Sequence, residues 1–262
     1  MSDSVLVDRT DEVMWIRLNR PEVFNAFDEQ MGLDFVEALE GAADPASRCV
    51  VITGVGKAFC AGEDLRALGK DYASGGSPDL GGILRRRYNP AIEAIQNLRK
   101  PVVAAINGVA AGAGVSLALA CDMRVMAAQA SLVVAFSKVG LVPDSGGTWL
   151  LPRYLGVGRA FEMAISTDPI SASRASELGL VNEVVVGAEL ETTVAKLAAT
   201  LAAGPTVALA EIKRLIWSAS GVDLKEHLEA EAVAQGVVGA TSDHIEGVAA
   251  FSEKRPPKFK GA

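Results

Sequence analysis

Apolar positions along the first two hundred residues fall into short unbroken runs that alternate with stripes spaced by three or four residues. Val13-Met14-Trp15-Ile16-Arg17-Leu18 reads as a strand ending at Asn19-Arg20-Pro21. Asp28 then stands as an N-cap, and Met31, Phe35 and Leu39 give the helix behind it one apolar stripe. Cys49 to Thr53 is wholly apolar up to its last residue, as befits a strand buried on both faces of a sheet, and Gly54 follows at once. Asn89-Pro90 predicts a helix start, and Val102 to Ile106 a second buried strand after Pro101. From Gly112 to Ala120 nearly every residue is small, so a helix there can sit deep between other elements. The stretch from Gly69 to Gly82 has no periodicity and reads as a mobile surface loop.

Strand-like and helix-like segments in alternation predict an α/β domain with crossover connections. Beyond Gly204-Pro205 the pattern turns helical throughout, with Leu209, Ile212, Leu215 and Ile216 on one face and Leu224 and Leu228 on another. Residues 1–204 are therefore expected to form the core, and residues 205–262 a helical arm that packs on its own domain or on a neighbouring subunit.

With 262 residues, half of them hydrophobic, the chain can bury one sizeable core. A net charge of −7 leaves no broad basic face, which argues against nucleic acid as a partner. Arg85-Arg86-Arg87 and the tail from Lys254 to Lys260 are read as solvated faces. Cys49, Cys60 and Cys121 are far apart, have no metal-ligand spacing and lie in or beside apolar runs, so buried free thiols in a reducing compartment are expected. The N-terminal residues lack the apolar run of a secretory signal, so the expected location is cytoplasmic. From Pro101 to Cys121 the chain is apolar for about the length of a membrane span. Asn107, Ser116 and three glycines make a strand, a turn and a buried helix the better reading.

The chemistry concentrates in three places. Phe59-Cys60-Ala61-Gly62-Glu63-Asp64-Leu65 follows a predicted strand, and Gly62 permits a turn that aims the Glu63 N–H into a cleft. Asn107-Gly108 through Gly112-Ala113-Gly114 is a second such turn, opening a helix whose first N–H groups are unsatisfied. Two converging backbone donors are what an enolate oxygen needs; both glycine clusters are also explained as tight strand-to-helix turns. The third place is Asp144, in Val142-Pro143-Asp144-Ser145-Gly146-Gly147-Thr148. An aspartate there could be an N-cap, but Ser145 can take that role. Phe136, Leu141 and Val142 would shield the carboxylate and raise its pKa toward that of a proton shuttle. His227 and His244 lie far along the helical arm and read as exposed, which disfavours a Ser-His-Asp scheme. Gly112-Ala113-Gly114 lacks the rest of a dinucleotide-binding fingerprint.

Asn19-Arg20-Pro21 through Asn25-Ala26-Phe27, the Phe59 to Leu65 turn, Ala105-Ile106-Asn107-Gly108 through Cys121-Asp122, and Gly140 through Thr148 together resemble the crotonase family, the enoyl-CoA hydratase/isomerase superfamily, over essentially the full length. The resemblance implies an α/β fold, a crotonase-like spiral of ββα repeats, with a C-terminal helical part that mediates trimers, often paired into hexamers. It implies an acyl-CoA thioester substrate, with no cofactor beyond the coenzyme A of the substrate, no metal and no membrane partner. By position, the N–H groups of Glu63 and Ala113 would form the oxyanion hole. Ala26 and Asp64-Leu65-Arg66 would lie along the coenzyme A, and Phe259-Lys260 would reach a neighbour's nucleotide.

Ser116 and Phe136 stand at the substrate where hydratases of the family place two glutamates, so both hydratase carboxylates are missing. Asp144 occupies the place of the acid/base aspartate of some double-bond isomerases. The run from Ala135 to Arg153 looks especially like the ring-1,2-epoxyphenylacetyl-CoA isomerases of phenylacetate breakdown. A double-bond isomerase with Asp144 as proton shuttle is therefore expected. The alternatives are a hydratase using Asp144 with or without the Glu63 side chain, and a non-catalytic acyl-CoA or RNA-binding member.

Overall fold

The apolar runs became the centre of a sheet. The structure, a computed structural model, describes residues 3–66, 69 and 76–262. Its strands are β1 (Val5–Thr10), β2 (Val13–Leu18), β3 (Cys49–Gly54), β4 (Ala58–Cys60), β5 (Val102–Ile106), β6 (Val109–Ala111), β7 (Met123–Ala127), β8 (Ser131–Val133), β9 (Ile170–Ser171) and β10 (Glu183–Val185). A six-stranded sheet has the order β1-β2-β3-β5-β7-β10, and a four-stranded sheet the order β4-β6-β8-β9. Only β1 with β2 and β8 with β9 pair antiparallel; the other pairings are parallel. Every residue of β3 and β5 is buried, as strands flanked on both sides and covered on both faces must be.

The connections repeat. The chain runs β3 to β4 to a helix, β5 to β6 to a helix, and β7 to β8 to a helix, each time stepping from the large sheet to the small one. Because both sheets advance in the same order, the result is a spiral of ββα turns. This is the α/β architecture predicted from sequence.

Local chemistry explains the helices. Asp28 accepts the Met31 N–H at 2.9 Å and so caps Glu29–Gly41, whose stripe of Met31, Phe35 and Leu39 is fully buried. All eight residues of Ala113–Ala120 are buried, and a Cβ on Gly114 would collide with the Cys60 carbonyl oxygen. Small residues are required there because the helix lies directly on β4. The span from Pro101 to Cys121 is thus strand, turn and buried helix. Cys49, Cys60 and Cys121 are buried and free, and burial pushes each thiol up to about 12.

Two expectations need correction. Residues 70–75 of the loop expected from Gly69 to Gly82 lie outside the described residues, and at its end Asp79 caps a helix that starts at Leu80, not at Asn89. That helix, Leu80–Ile83, passes through a π-helical turn, Leu84–Tyr88, into Asn89–Asn97. Pro90 therefore sits inside a continuous helical run, and the wider turn, closed by the Asn89 N–H on the Leu84 carbonyl, absorbs the donor that proline lacks.

The C-terminal region forms helices Thr206–Ser218, Leu224–Gly239 and Ser242–Glu253. Its ties to the rest are polar and buried. Lys213 Nζ lies 2.9 Å from Asp122 and donates to the Ile95 carbonyl, while Arg48 donates to Thr206 Oγ1 and to the Phe259 carbonyl. Of the apolar stripe read from sequence, Leu209 and Leu215 are half-buried. Ile212, Ile216, Leu224 and Leu228 are exposed in the single chain, and so is Phe251. Among the described residues no single helix is long and apolar enough to cross a membrane.

Candidate active site

Strands β4, β6 and β8 run parallel as neighbours, so their C-terminal ends lie along one edge of the small sheet. The segments that follow them carry Gly62-Glu63, Gly112-Ala113 and Phe136 to Asp144 respectively. The topology thus brings together three stretches far apart in sequence, at the strand ends where open parallel sheets bind ligands. A cavity of about 300 Å³ opens there, lined by Gly62, Glu63, Leu65, Tyr88, Gly112, Ala113, Phe136, Leu141, Val142 and Asp144, with Leu80, Ile83 and Leu84 supplying further apolar wall.

Both turns depend on glycine. Gly62 adopts φ +87°, and a Cβ on it would lie 3.0 Å from the Ala111 carbonyl oxygen and 3.3 Å from the Ala113 nitrogen. The two turns therefore touch through backbone. Gly112 takes φ +54° and ψ −125°, and the helix begins at the next residue. The Ala113 N–H, at the first helical position, has no intrahelical acceptor. On the other turn Phe27 donates its N–H to the Gly62 carbonyl at 2.7 Å and accepts the Asp64 N–H at 2.9 Å. That pairing fixes the Gly62–Glu63 peptide through its carbonyl and leaves the N–H of the same peptide, that of Glu63, unused by it.

Asp144 is half-buried on the opposite wall. Its backbone is anchored from below: Ser116, only 2% exposed, donates its hydroxyl to the Asp144 carbonyl at 2.8 Å, and Gly147 donates its N–H to the same oxygen at 2.7 Å. Burial raises the carboxyl pKa, and the Glu63 charge pushes it the same way; the Ser145 hydroxyl, 2.8 Å from Oδ1, opposes both. Ser145 was expected to cap the next helix. Instead it takes φ +51°, its hydroxyl is spent on the Asp144 carboxylate, and Gly146 starts Gly147–Leu155 without any side-chain cap. Shielding of Asp144 comes mainly from buried Phe136, since Leu141 and Val142 line the cavity but expose their outer sides.

Of the residues singled out in the sequence, Glu63, Leu65, Ala113, Phe136 and Asp144 share this cavity. Ala26 and Asp64 are buried and do not line the cavity; Arg20 joins them, donating to the Ala26 carbonyl at 2.6 Å and to Asp64 Oδ2 at 3.0 Å, and Arg66 is exposed beside Asp64. Ser116 lies beneath the Asp144 loop and is not part of the cavity wall. Phe259 and Lys260 are elsewhere. Their backbone is fastened to Arg48 and Asp243 of the same chain, away from the cavity. His244 is exposed as expected, whereas His227 is largely buried, with Nε2 3.5 Å from Glu231 and Nδ1 unpartnered.

Sequence reading missed Arg87 and Tyr88. The Arg85-Arg86-Arg87 run reads as solvated, and Arg85 and Arg86 are exposed, but Arg87 is buried and grips both Glu63 carboxylate oxygens at 2.6 and 2.8 Å. Tyr88 donates its hydroxyl to Glu63 Oε2 at 2.7 Å. The Glu63 side chain is thus salt-bridged. No local signal marks the pair, because the carboxylate they bind lies twenty-four positions upstream of Arg87. Among the described residues no cluster of His, Cys, Asp or Glu could hold a metal ion.

The family model described as enoyl-CoA hydratase/isomerase matches residues 8–262. The chain belongs to the enoyl-CoA hydratase/isomerase family. It is 43% identical to the 1,2-epoxyphenylacetyl-CoA isomerase of Escherichia coli (strain K12), across the whole of both chains. It is 44% identical to a probable enoyl-CoA hydratase of Rhodobacter capsulatus, covering 94% of this chain and 93% of that one. Among solved structures, a putative enoyl-CoA hydratase/isomerase from Mycobacterium abscessus superposes with a TM-score of 0.92 at 39% identity, covering 98% of this chain and all of the other. The ββα spiral is therefore the crotonase fold, and the protein is an enzyme of the enoyl-CoA hydratase/isomerase family, for which an acyl-CoA thioester substrate is expected.

Proposed function

We propose that this enzyme shifts a carbon–carbon double bond in an acyl-CoA thioester, with Asp144 as the proton carrier. The N–H groups of Glu63 and Ala113 would hold the thioester oxygen. Removal of a proton from the carbon next to the carbonyl sends its electrons into that oxygen, forming a dienolate; the same carboxyl then returns the proton two carbons further along, and the double bond moves. One acid suffices for this, because the proton removed is the proton returned. The two donors matter because negative charge on the oxygen grows in the transition state.

The observation that carries this reading is the asymmetry between the two carboxylates lining the cavity. Glu63 is bound by Arg87 and Tyr88, while Asp144 is held by a single serine hydroxyl in a half-buried setting that raises its pKa. Addition of water needs one group to activate the water and another to manage the proton on carbon. Ser116 and Phe136 offer neither. The similarity to the Escherichia coli isomerase supports an unsaturated, ring-bearing acyl group of the phenylacetate type.

A hydratase is the second reading, favoured by the name of the Rhodobacter relative. Presenting the enzyme with a 3-enoyl-CoA and with crotonyl-CoA, and following the absorbance of the conjugated thioester, separates the two. Gain of conjugation from the first substrate with no loss from the second supports isomerisation; rapid loss of crotonyl-CoA absorbance refutes it. Exposed Ile212, Ile216, Leu224 and Phe251 on the C-terminal helices support self-association of residues 205–262 into a homotrimer or a hexamer. In such an assembly Phe259 and Lys260 would serve a neighbour's site.

A further inference from the structure

The Glu63 side chain sits on the residue whose N–H is one of the two proposed oxyanion donors, and the structure surrounds it with more fixation than a solvated rim residue receives. Arg87 Nη1 reaches both carboxylate oxygens, Arg87 Nη2 lies 3.7 Å from Glu29, and the Tyr88 hydroxyl binds Oε2. Both gripping residues are about nine-tenths buried, Arg87 and Tyr88 each being 7% exposed. A buried guanidinium is costly unless its donors are met by a well-placed anion, which makes this geometry narrow.

Two features of the fold exist to allow it. The stem of Arg87 crosses helix Glu29–Gly41 at Gly32, where a Cβ would collide with Arg87 Cγ and Cδ. A glycine inside a helix is unfavourable, and here it leaves the space that the Arg87 stem fills. The second is the π-helical turn Leu84–Tyr88, which places consecutive residues Arg87 and Tyr88 on the same carboxylate.

The circle closes through Phe27. Its backbone pairs with the peptides on either side of Glu63, and its ring packs on Tyr88 with centroids 5.5 Å apart. The Gly62–Glu63 peptide is therefore held directly at its carbonyl by the Phe27 N–H, and at the Glu63 side chain by Tyr88 and Arg87, and these holders lean on one another. We propose that Arg87 and Tyr88 are positioning residues: by gripping the Glu63 carboxylate they hold the Gly62–Glu63 peptide in the rotation at which Phe27 binds its carbonyl, and so keep the aim of the N–H that polarises the thioester. The proposal rests on the oxyanion-hole reading above, and it goes further in assigning a role to a helix outside the two glycine turns.

The test measures carbonyl polarisation and leaves proton transfer aside. The probe is 2,4-hexadienoyl-CoA, bound to the Asp144→Asn protein so that no turnover competes. A conjugated thioester absorbs at longer wavelength when donors polarise its carbonyl, so the red shift at saturation reports the hole directly. Tyr88→Phe keeps the ring on Phe27 and removes one bond to Glu63; Arg87→Met removes the other two. Each is expected to cut the red shift by about half while the dissociation constant changes by less than about threefold, and in the otherwise wild-type enzyme to lower kcat by about tenfold with KM nearly constant. A purely structural ion pair would lower the melting temperature and leave the red shift of the folded protein untouched, which overturns the proposal. If Arg87→Met does not fold, Tyr88→Phe decides alone. Failure of the isomerase reading appears separately, as a wild-type enzyme that polarises the probe and moves no double bond. Absence of any red shift in the Asp144→Asn parent removes the hole and the clamp together.

Discussion

Replacing Gly62 by alanine perturbs both proposed oxyanion donors with one methyl group. The residue sits at φ +87°, where an L side chain costs roughly 1–2 kcal/mol. The added Cβ would lie 3.0 Å from the Ala111 oxygen and 3.3 Å from the Ala113 nitrogen, both backbone atoms, so something must give by a few tenths of an ångström. What gives is the β6-to-helix turn bearing the Ala113 N–H or the peptide bearing the Glu63 N–H. Complete loss of one such donor costs about a hundred- to a thousandfold in kcat, and a misplacement of about 1 Å costs about a hundredfold. The displacement here is smaller. We expect Gly62→Ala to lower kcat by about ten- to a hundredfold, to change KM less than about threefold, and to lower the melting temperature by about 3–6 °C. Gly56→Ala is the control, since Gly56 has φ +80° with only Pro21 near its missing Cβ; it should lose stability and keep its kcat. Steady-state kinetics on a 3-enoyl-CoA, with calorimetry on the same samples, gives both quantities. Retention of kcat within about twofold in Gly62→Ala, or an equal loss in Gly56→Ala, would refute the assignment of that turn.

Three further outcomes are expected. Ser116→Ala removes one of two hydrogen bonds to the Asp144 carbonyl and should cost about 1 kcal/mol of stability, read by denaturant titration, with a several-fold drop in kcat. Because burial raises the Asp144 pKa, the folded protein holds more protons than the unfolded chain between the ordinary aspartate value and the raised one, so stability falls as pH rises through that window. Asp144→Asn should therefore gain stability above the window and none below it, and the acid limb of kcat/KM in the wild type should lie above the ordinary aspartate range. Light scattering should return a mass three or six times 27.2 kDa, and charged replacements of Ile216 and Leu224 together should lower it.

Those parts of the fold that depend on local pattern were legible in the sequence. The wholly apolar runs at Cys49 and Val102 mark central strands because no polar residue interrupts them. The small residues from Gly112 to Ala120 mark a helix laid on backbone. The glycine turns and Asp144 were legible as candidate site residues, and the parallel strands β4, β6 and β8 bring them to one cavity. What stayed hidden depends on partners distant in sequence. Arg87 looked like one cation in a solvated run because its carboxylate lies twenty-four positions upstream and its passage past Gly32 is visible only in three dimensions. Ser145 had the right type and place for a cap, but the preceding carboxylate competed successfully for its hydroxyl. Pro90 marked a helix start by rule and was instead accommodated by a widened turn.

The account turns on one carboxyl group carrying the proton. Its most direct test is the conversion of a 3-enoyl-CoA to the conjugated isomer by wild type and by Asp144→Asn, with binding of the substrate measured in parallel. Loss of a positioned acid/base group should lower kcat by about a hundred- to ten-thousandfold while binding is retained. Turnover by Asp144→Asn within about tenfold of wild type, with the same product, would contradict it.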